Sequence, residues 1–463
     1  MSIKRYIGNK HFYKNVILVA LPIMLQNMVT NLVDFVDNIM VGRLSTEAVS
    51  AVGIINQLML VYYLLIFGAL SGIGIFTVQF FGKGDESGVK YTFRFKIIAA
   101  VVLSILAFSV FRFADTFLIS RFINEGSQDG DLGLALALSK EYLAIVMLGM
   151  LPYAITQCYA GTLRETGDTL PPMIVSIGAV FLNLIFNYIL IFGKMGFQPL
   201  GVEGAAIATL ISRICECGAI VLFTHLKRKK FTFIRGVFKS MRVPKVLVKE
   251  IFKRGTPLVI NETLWSLGTT VLARLYSVRG LAVFTGYNIA ATVTNLFSIG
   301  FISLGMTVGI IVGQYLGAGK FDEAKDADTK LLAFTVFVAV ITGATMALLA
   351  PFFPQFYTGV SSEAKEVATY MMLCASFLSP VNAFMNACYF TLRSGGKTWI
   401  TFVFDGGSMW LLYVPVAMIL VYLTDLTIFW VFPIVNSLEI IKCMIGYIML
   451  KKNLWINNIT VEA

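Results

Sequence analysis

The stretch QFFGKGDE at residues 79–86 returns as QYLGAGKFDE at residues 314–323, with Gln79 and Gln314 placed 235 residues apart. Gly82 and Gly84 fall on Gly317 and Gly319. The same offset carries LPIMLQN, from Leu21, onto TPLVINE, from Thr256, and superposes Pro22 on Pro257. Further along, TLRETGDT from Thr162 is matched by TLRSGGKT from Thr391 at an offset of 229. Shared order and spacing of this kind mark an internal duplication.

What fills each half is apolar. Of 463 residues, 57% are hydrophobic and only 14% are charged, against about 25% charged in a soluble domain. The mean hydropathy is +0.79. The apolar residues come in twelve blocks, near 14–40, 50–81, 92–113, 134–160, 171–193, 203–226, 250–276, 285–316, 329–350, 366–392, 399–423 and 428–450. Each reaches the roughly 20 residues that a helix needs to cross about 30 Å of hydrocarbon. Six spans per half is an even number, so both halves enter from the same side and the repeats are parallel. The expected fold is an all-α membrane protein of twelve transmembrane helices in two six-helix repeats, with the substrate pathway in a central cleft between them. The expected division is 1–226, a basic linker at 227–249, and 250–463.

The net charge of +11 is distributed as membrane topology requires. With the N-terminus inside, 27 of the 37 Lys and Arg residues fall on cytoplasmic segments, the positive-inside bias. Both termini are then cytoplasmic, with the chain in the plasma membrane. The densest block, Lys227 to Lys230, suits anionic lipid headgroups better than nucleic acid. The first apolar block is too long for a signal-peptide core and reads as a retained span. Cys158, Cys215, Cys217, Cys374, Cys388 and Cys443 sit in apolar blocks without a CxxC pair, and two histidines make no zinc constellation.

Polar side chains inside the spans are costly and so mark either packing partners or a pathway. In span 1, Asn27, Asn31, Asp34 and Asn38 recur at steps of four, three and four, with Asp37 and Thr30 close to the same face. That stripe is expected to line a cavity facing spans 5 and 6, with Val33 and Ile39 turned elsewhere. Asn183 and Asn187 share one face of span 5, and Thr209 stands on span 6. Carboxamide oxygens beside a carboxylate can complete a hard-cation site; interhelical hydrogen bonding is the plainer reading. In the second half, Glu262, Asp405 and Glu439 come from spans 7, 11 and 12, and at least two are expected to share a pocket. Trp265, one turn beyond Glu262, adds an aromatic face suited to an organic cation. Glu439 has Lys442 at i+3, which makes it either half of a local ion pair or a carboxylate of the site; Arg213 and Glu216, also i,i+3, read as structural. Pro22 and Pro257 each remove a helical hydrogen bond and permit bending.

The run LVDFVDNIMVGRLSTEAVSAVG at 32–53 resembles the first-helix signature of the multidrug and toxic compound extrusion (MATE) family. The repeated loops QFFGKGD and QYLGAGK, TLRETGDTLPPM, and the stretch from Asn183 through LIFG to GVEGAAIAT are similar to that family too. The resemblance covers nearly the whole chain. It implies two six-helix lobes about a V-shaped cleft, and export of organic cations or amphipathic compounds against inward H+ or Na+. Under it, Asp37 takes the family's first-helix acidic position and Asn183 its helix-5 asparagine. Asn187 stands where many prokaryotic members carry aspartate, with Asp34 as a second source of charge. Glu262 matches the helix-7 glutamate of another branch. That branch's helix-10 acid is missing from PVNAFMNACYF at 380–390, and Asp405 stands in for it. A bound Na+ would be held by Asp37, Asn183, Asn187 and Thr209.

An antiporter of small amphipathic molecules is therefore the leading function, acting as a monomer in the lipid bilayer with no cofactor beyond the coupling ion. The alternative is a flippase of lipid-linked saccharides, which would favour a basic cavity, whereas the intramembrane charge reads as mainly acidic. No HExxH, P-loop or nucleophile–histidine arrangement suggests an enzyme.

Overall fold

The structure, a computed structural model, describes residues 6–126, 132–357 and 359–461, without the side chains of Asp34, Phe35, Asn38, Thr46, residues 122–126 and Leu132. The described chain is helical throughout and contains no strand. Helices are the natural solution for a chain in hydrocarbon, because they satisfy their own backbone groups where no water is available. The first half comprises α1 (Lys10–Gly42), α2 (Thr46–Lys83), α3 (Glu86–Phe113), a short α4 (Asp115–Gly126), α5 (Leu132–Val146), α6 (Met150–Glu165), α7 (Leu170–Phe192) and α8 (Gly201–Leu226). A 3-10 turn at Met147–Gly149 joins α5 to α6 as one crossing. The second half comprises α9 (Lys245–Ser277), α10 (Leu281–Gly317), α11 (Phe321–Leu349), α12 (Ser362–Ser394), α13 (Thr398–Phe402), α14 (Val414–Tyr422) and α15 (Ile428–Lys451). Two π-helical turns, Val403–Gly407 and Met409–Tyr413, link α13 to α14.

The duplication is visible in the helix starts. Lys10 and Lys245, Thr46 and Leu281, and Glu86 and Phe321 open α1/α9, α2/α10 and α3/α11, each pair 235 residues apart. Among the described residues, 11 helical crossings are long and apolar enough to span a membrane. The remaining expected span is α9, whose opening turns carry Lys249, Glu250, Lys253 and Arg254 and dilute its hydropathy. Phe113, Leu281, Phe377 and Leu411 are among the many large apolar side chains left exposed. A soluble protein would hide such a surface; acyl chains solvate it.

Packing divides the chain into two compact units that cut across the repeat. One holds residues 25–77 and 86–248; the other holds residues 1–24, 78–85 and 249–463. The boundaries near 226 and 250 describe the duplication, whereas the packing units exchange two segments. In the second of these units, Val16 and Ala20 of α1 join a core with Leu304, Val308 and Val312 of α10 and with Trp455.

That unit is also clasped around the duplicated loops. A Cβ on Gly82 would collide with the Gln314 carbonyl, and one on Gly317 with the Gln79 carbonyl. Each repeat's glycine thus admits the backbone of the other repeat's glutamine. The Gln79 amide is fully buried. Its Nε2 donates to the carbonyls of Ser394 (2.8 Å) and Asn457 (3.1 Å), and its Oε1 accepts from the Ile459 amide (2.9 Å). Asn458 Nδ2 donates to the Gly317 carbonyl at 3.1 Å. Residues 455–459 are therefore bound to both copies of the motif.

In the other unit, Lys96 of α3 is 1% exposed. It forms an ion pair with Glu165 and donates to Thr162 Oγ1 at 3.1 Å. Gly74 of α2 leaves the room that Glu165 fills. The basic linker is docked rather than loose. Phe231, Phe233, Ile234 and Val237 are buried, and Arg94 Nε donates to the Val237 carbonyl at 2.7 Å. Lys227 to Lys230 remain exposed.

Substituting Gly317 by alanine is expected to lower unfolding stability by about 1–3 kcal/mol, the usual cost of overpacking. Gly53, which has open space at its Cβ position within α2, should accept alanine without loss. Thermal unfolding of the two variants in detergent checks this; equal midpoints would remove the steric role assigned to the motif.

Candidate functional site

Each packing unit holds clustered polar side chains in its membrane-spanning part. In the first, Asn187 Nδ2 donates to Asp37 Oδ1 at 2.8 Å and to Asn183 Oδ1 at 3.1 Å. Asn183 Nδ2 points to Thr209 Oγ1 at 3.5 Å. Asp37, Asn183, Asn187 and Thr209 are thus brought together from α1, α7 and α8. Tyr142 of α5 is buried beside Thr209, within electrostatic reach of Asp37. Asn187 is 3% exposed, yet its Oδ1 has no hydrogen-bond partner. An amide oxygen in that condition is a costly orphan and a ready ligand for a cation or an acidic proton.

The described side chains of α1 match the expected faces except at Val33. Asn31 is exposed and donates to the Asn27 carbonyl of its own helix at 2.8 Å. Val33, expected to face elsewhere, is buried. Asp37, expected on this stripe, does turn to α7, and Ile39, expected elsewhere, is exposed. Asp34 and Asn38 lie outside the described side chains. Beyond Asp37 the same unit holds a second chain of hydrogen bonds. Arg164 Nη2 donates to Gln26 Oε1 (2.9 Å), Gln26 Nε2 to Ser176 Oγ (2.9 Å), and Ser176 Oγ to Glu216 Oε1. Arg213 closes it on Glu216 at 3.2 Å, the expected i,i+3 pair, and lies 5.1 Å from the Tyr153 ring centroid.

In the other unit, Tyr389 Oη of α12 donates to Glu262 Oε1 of α9 at 3.1 Å. Asn261 Nδ2 donates to Asp405 Oδ2 at 3.1 Å, and its Oδ1 accepts from the Gly406 amide at 2.8 Å. Asp405 sits in the first π-helical turn, a distortion that recurs at functional positions because it re-aims a side chain. Lys442 Nζ of α15 lies 2.7 Å from Asp405 Oδ1. The expected local pair of Lys442 with Glu439 is corrected here: the π-turn presents Asp405 to the ammonium, and Glu439 Oε2 is buried with no hydrogen-bond partner. Tyr413 Oη lies beside the Glu439 carboxyl. Trp265 is half exposed, and the hydrogen bond to Glu262 comes from Tyr389 instead. Pro22 and Pro257 lie inside α1 and α9, each of which continues as one 33-residue helix.

Interior charge is more balanced than the sequence suggested, since Lys96, Arg254, Arg393 and Lys442 are all buried. Gln26, Asn261, Tyr142, Tyr389 and Ser176 were not singled out. A signal for two of them existed: Gln26 and Asn261 are equivalent positions of the quoted repeat LPIMLQN/TPLVINE. Asn261 is 1% exposed, so removing its amide strands Asp405 and the Gly406 amide. Asn261→Leu is expected to cost about 1–3 kcal/mol, whereas Asn31→Leu, on an exposed face, should be nearly neutral. Comparing the two unfolding midpoints decides which face of α1 and α9 is internal.

Comparisons with known proteins fit this geometry. The MatE family model matches residues 22–189 and 257–419, so its two copies begin at the paired prolines. The chain is 26% identical over 411 residues to a probable multidrug resistance protein NorM of Thermotoga maritima, covering 88% of this chain and 85% of that one. It is 24% identical over 430 residues to the probable multidrug resistance protein YoeA of Bacillus subtilis, covering 90% and 88%. The fold matches a solved outward-facing multidrug resistance MATE transporter with a TM-score of 0.85, at 19% identity, over 97% of this chain and 98% of that one. Duplicated halves, twelve helical crossings and a family match across both halves lead to one assignment: the chain is a multi-pass membrane protein of the MatE family of multidrug and toxic compound efflux transporters.

Proposed function

We propose that the protein is a secondary antiporter that exports organic cations or amphipathic drugs in exchange for H+ or Na+, with Asp37 as the coupling carboxylate. The observation that carries this reading is the Asp37–Asn187 hydrogen bond, at 2.8 Å, beside the orphaned Asn187 Oδ1. Asp37 is bound by a donor, as an ionised carboxylate requires. Loading it with a proton removes its charge and turns one oxygen into a donor. That donor suits an amide oxygen, which a flip of the Asn187 amide presents to Asp37 at the cost of its bond to Asn183. Na+ is the second reading, and the free oxygen favours it: Oδ1 of Asn187, Oδ1 of Asn183, Thr209 Oγ1 and Asp37 are all hard oxygen ligands. Either ion changes which packing of α1 is preferred only to the extent that it binds the two packings differently. In this reading the protein acts as a monomer in the bacterial inner membrane, with both termini cytoplasmic.

The flippase alternative would need free basic groups for a pyrophosphate. Arg164 donates to Gln26 and Arg213 is paired with Glu216, which weighs against it. The decisive measurement is transport of a fluorescent organic cation in proteoliposomes, under a pH gradient and then under a Na+ gradient. Asp37→Asn is expected to abolish gradient-driven export while leaving insertion and folding intact, and Glu262→Gln to retain it. Wild-type rates in Asp37→Asn together with a dead Glu262→Gln would move the coupling site to the second half.

A further inference from the structure

The duplication sets two chains of buried hydrogen bonds at matching positions. Asn261 lies 235 residues after Gln26, and Asp405 lies 229 after Ser176, the offsets of the quoted repeats. In one unit an amide of α1 donates to Ser176, which donates to Glu216 of α8, and Arg213 pairs with that carboxylate from the same helix. In the other an amide of α9 donates to Asp405, which receives Lys442 of α15. The carboxylate of the second cluster therefore stands on the π-turn, at the position Ser176 holds in the first, and its cation comes from a different helix.

Asp405 and Lys442 have side chains 20% and 10% exposed, and Lys442 Nζ also lies 5.2 Å from the Phe404 ring centroid. Glu262, Tyr389, Arg393, Tyr413 and Glu439 face this pair from α9, α12, the second π-turn and α15. A carboxylate in such a place requires a cation or a proton, because burial of an unpaired charge is costly. We propose that Lys442 is a tethered cation, covalently supplied by α15, that permanently fills the cation position at Asp405 and so excludes a transported ion from it. An ammonium is a compact point charge with three donors, which allows it to take the place that a metal ion or a proton would occupy. Lys442 is thereby a specificity-determining residue that confines ion exchange to the Asp37 cluster. This inference rests on the reading that Asp37 carries the coupling ion.

The test uses ion-dependent stability of the purified full chain, independent of transport. A ligand that binds only the folded state raises its stability in a saturable manner. Unfolding midpoints are measured across NaCl at constant ionic strength set with choline chloride, and across pH 5 to 8, for wild type, Asp37→Asn, Asp405→Asn, Lys442→Met, Lys442→Arg and Lys442→Met/Asp405→Asn. Any ion response of the wild type should survive in Asp405→Asn and vanish in Asp37→Asn. Lys442→Met should gain a new saturable response to Na+ or to H+ that Lys442→Arg lacks and the double variant loses. A wild-type response that disappears in Asp405→Asn overturns the proposal, as does a Lys442→Met protein with no new response. Should Lys442→Met fail to fold, the wild-type and Asp405→Asn comparison still decides. A response that maps to Asp37 while Asp37→Asn exports normally would sink the coupling assignment and leave the role of Lys442 standing.

Discussion

Everything polar inside this protein must be satisfied by the protein, because hydrocarbon offers no hydrogen bonds. That constraint explains why the buried groups form closed chains rather than isolated pairs. Gln26 would be a liability by itself; placed between Arg164 and Ser176 it passes a hydrogen bond from a cation towards Glu216. Lys96 is tolerable at 1% exposure because Glu165 and Thr162 take its protons. An amide oxygen left out of such a chain, Asn187 Oδ1, then stands apart from its neighbours.

The fold was legible because its two signals are long-range regularities. Apolar blocks of twenty residues and a repeat at 235 survive any local ambiguity, and the structure places the paired helix starts at that spacing. The helical face was not legible to the same degree. Asp37 was read correctly and Val33 was not, since polar side chains can bond to their own helix and leave no mark in the pattern. Asn31 does so. The local i,i+3 rule succeeded for Arg213 and Glu216 and failed for Lys442 and Glu439. On α15 a distant π-turn offered the ammonium a better partner, and nothing in the sequence from Val403 to Tyr413 announces a change of helical pitch.

Duplication fixes positions without fixing the groups that fill them. The amide positions Gln26 and Asn261 share their chemistry, while their partners differ: Ser176 with Glu216 in one half, Asp405 with Lys442 in the other.

The clasp around Gln79 has a consequence for biosynthesis. The glutamine is buried by backbone groups that include Ile459, 380 residues later in the chain. At about 5–20 residues per second of synthesis, Gln79 waits roughly 20–75 s for that partner. During this interval its helix has already crossed the membrane, but the cytoplasmic end of α2 is not yet sealed. Membrane insertion and completion of the fold are therefore separate events in time, and quality control has a defined intermediate to inspect: a fully threaded chain whose two matching loops have not yet been tied together.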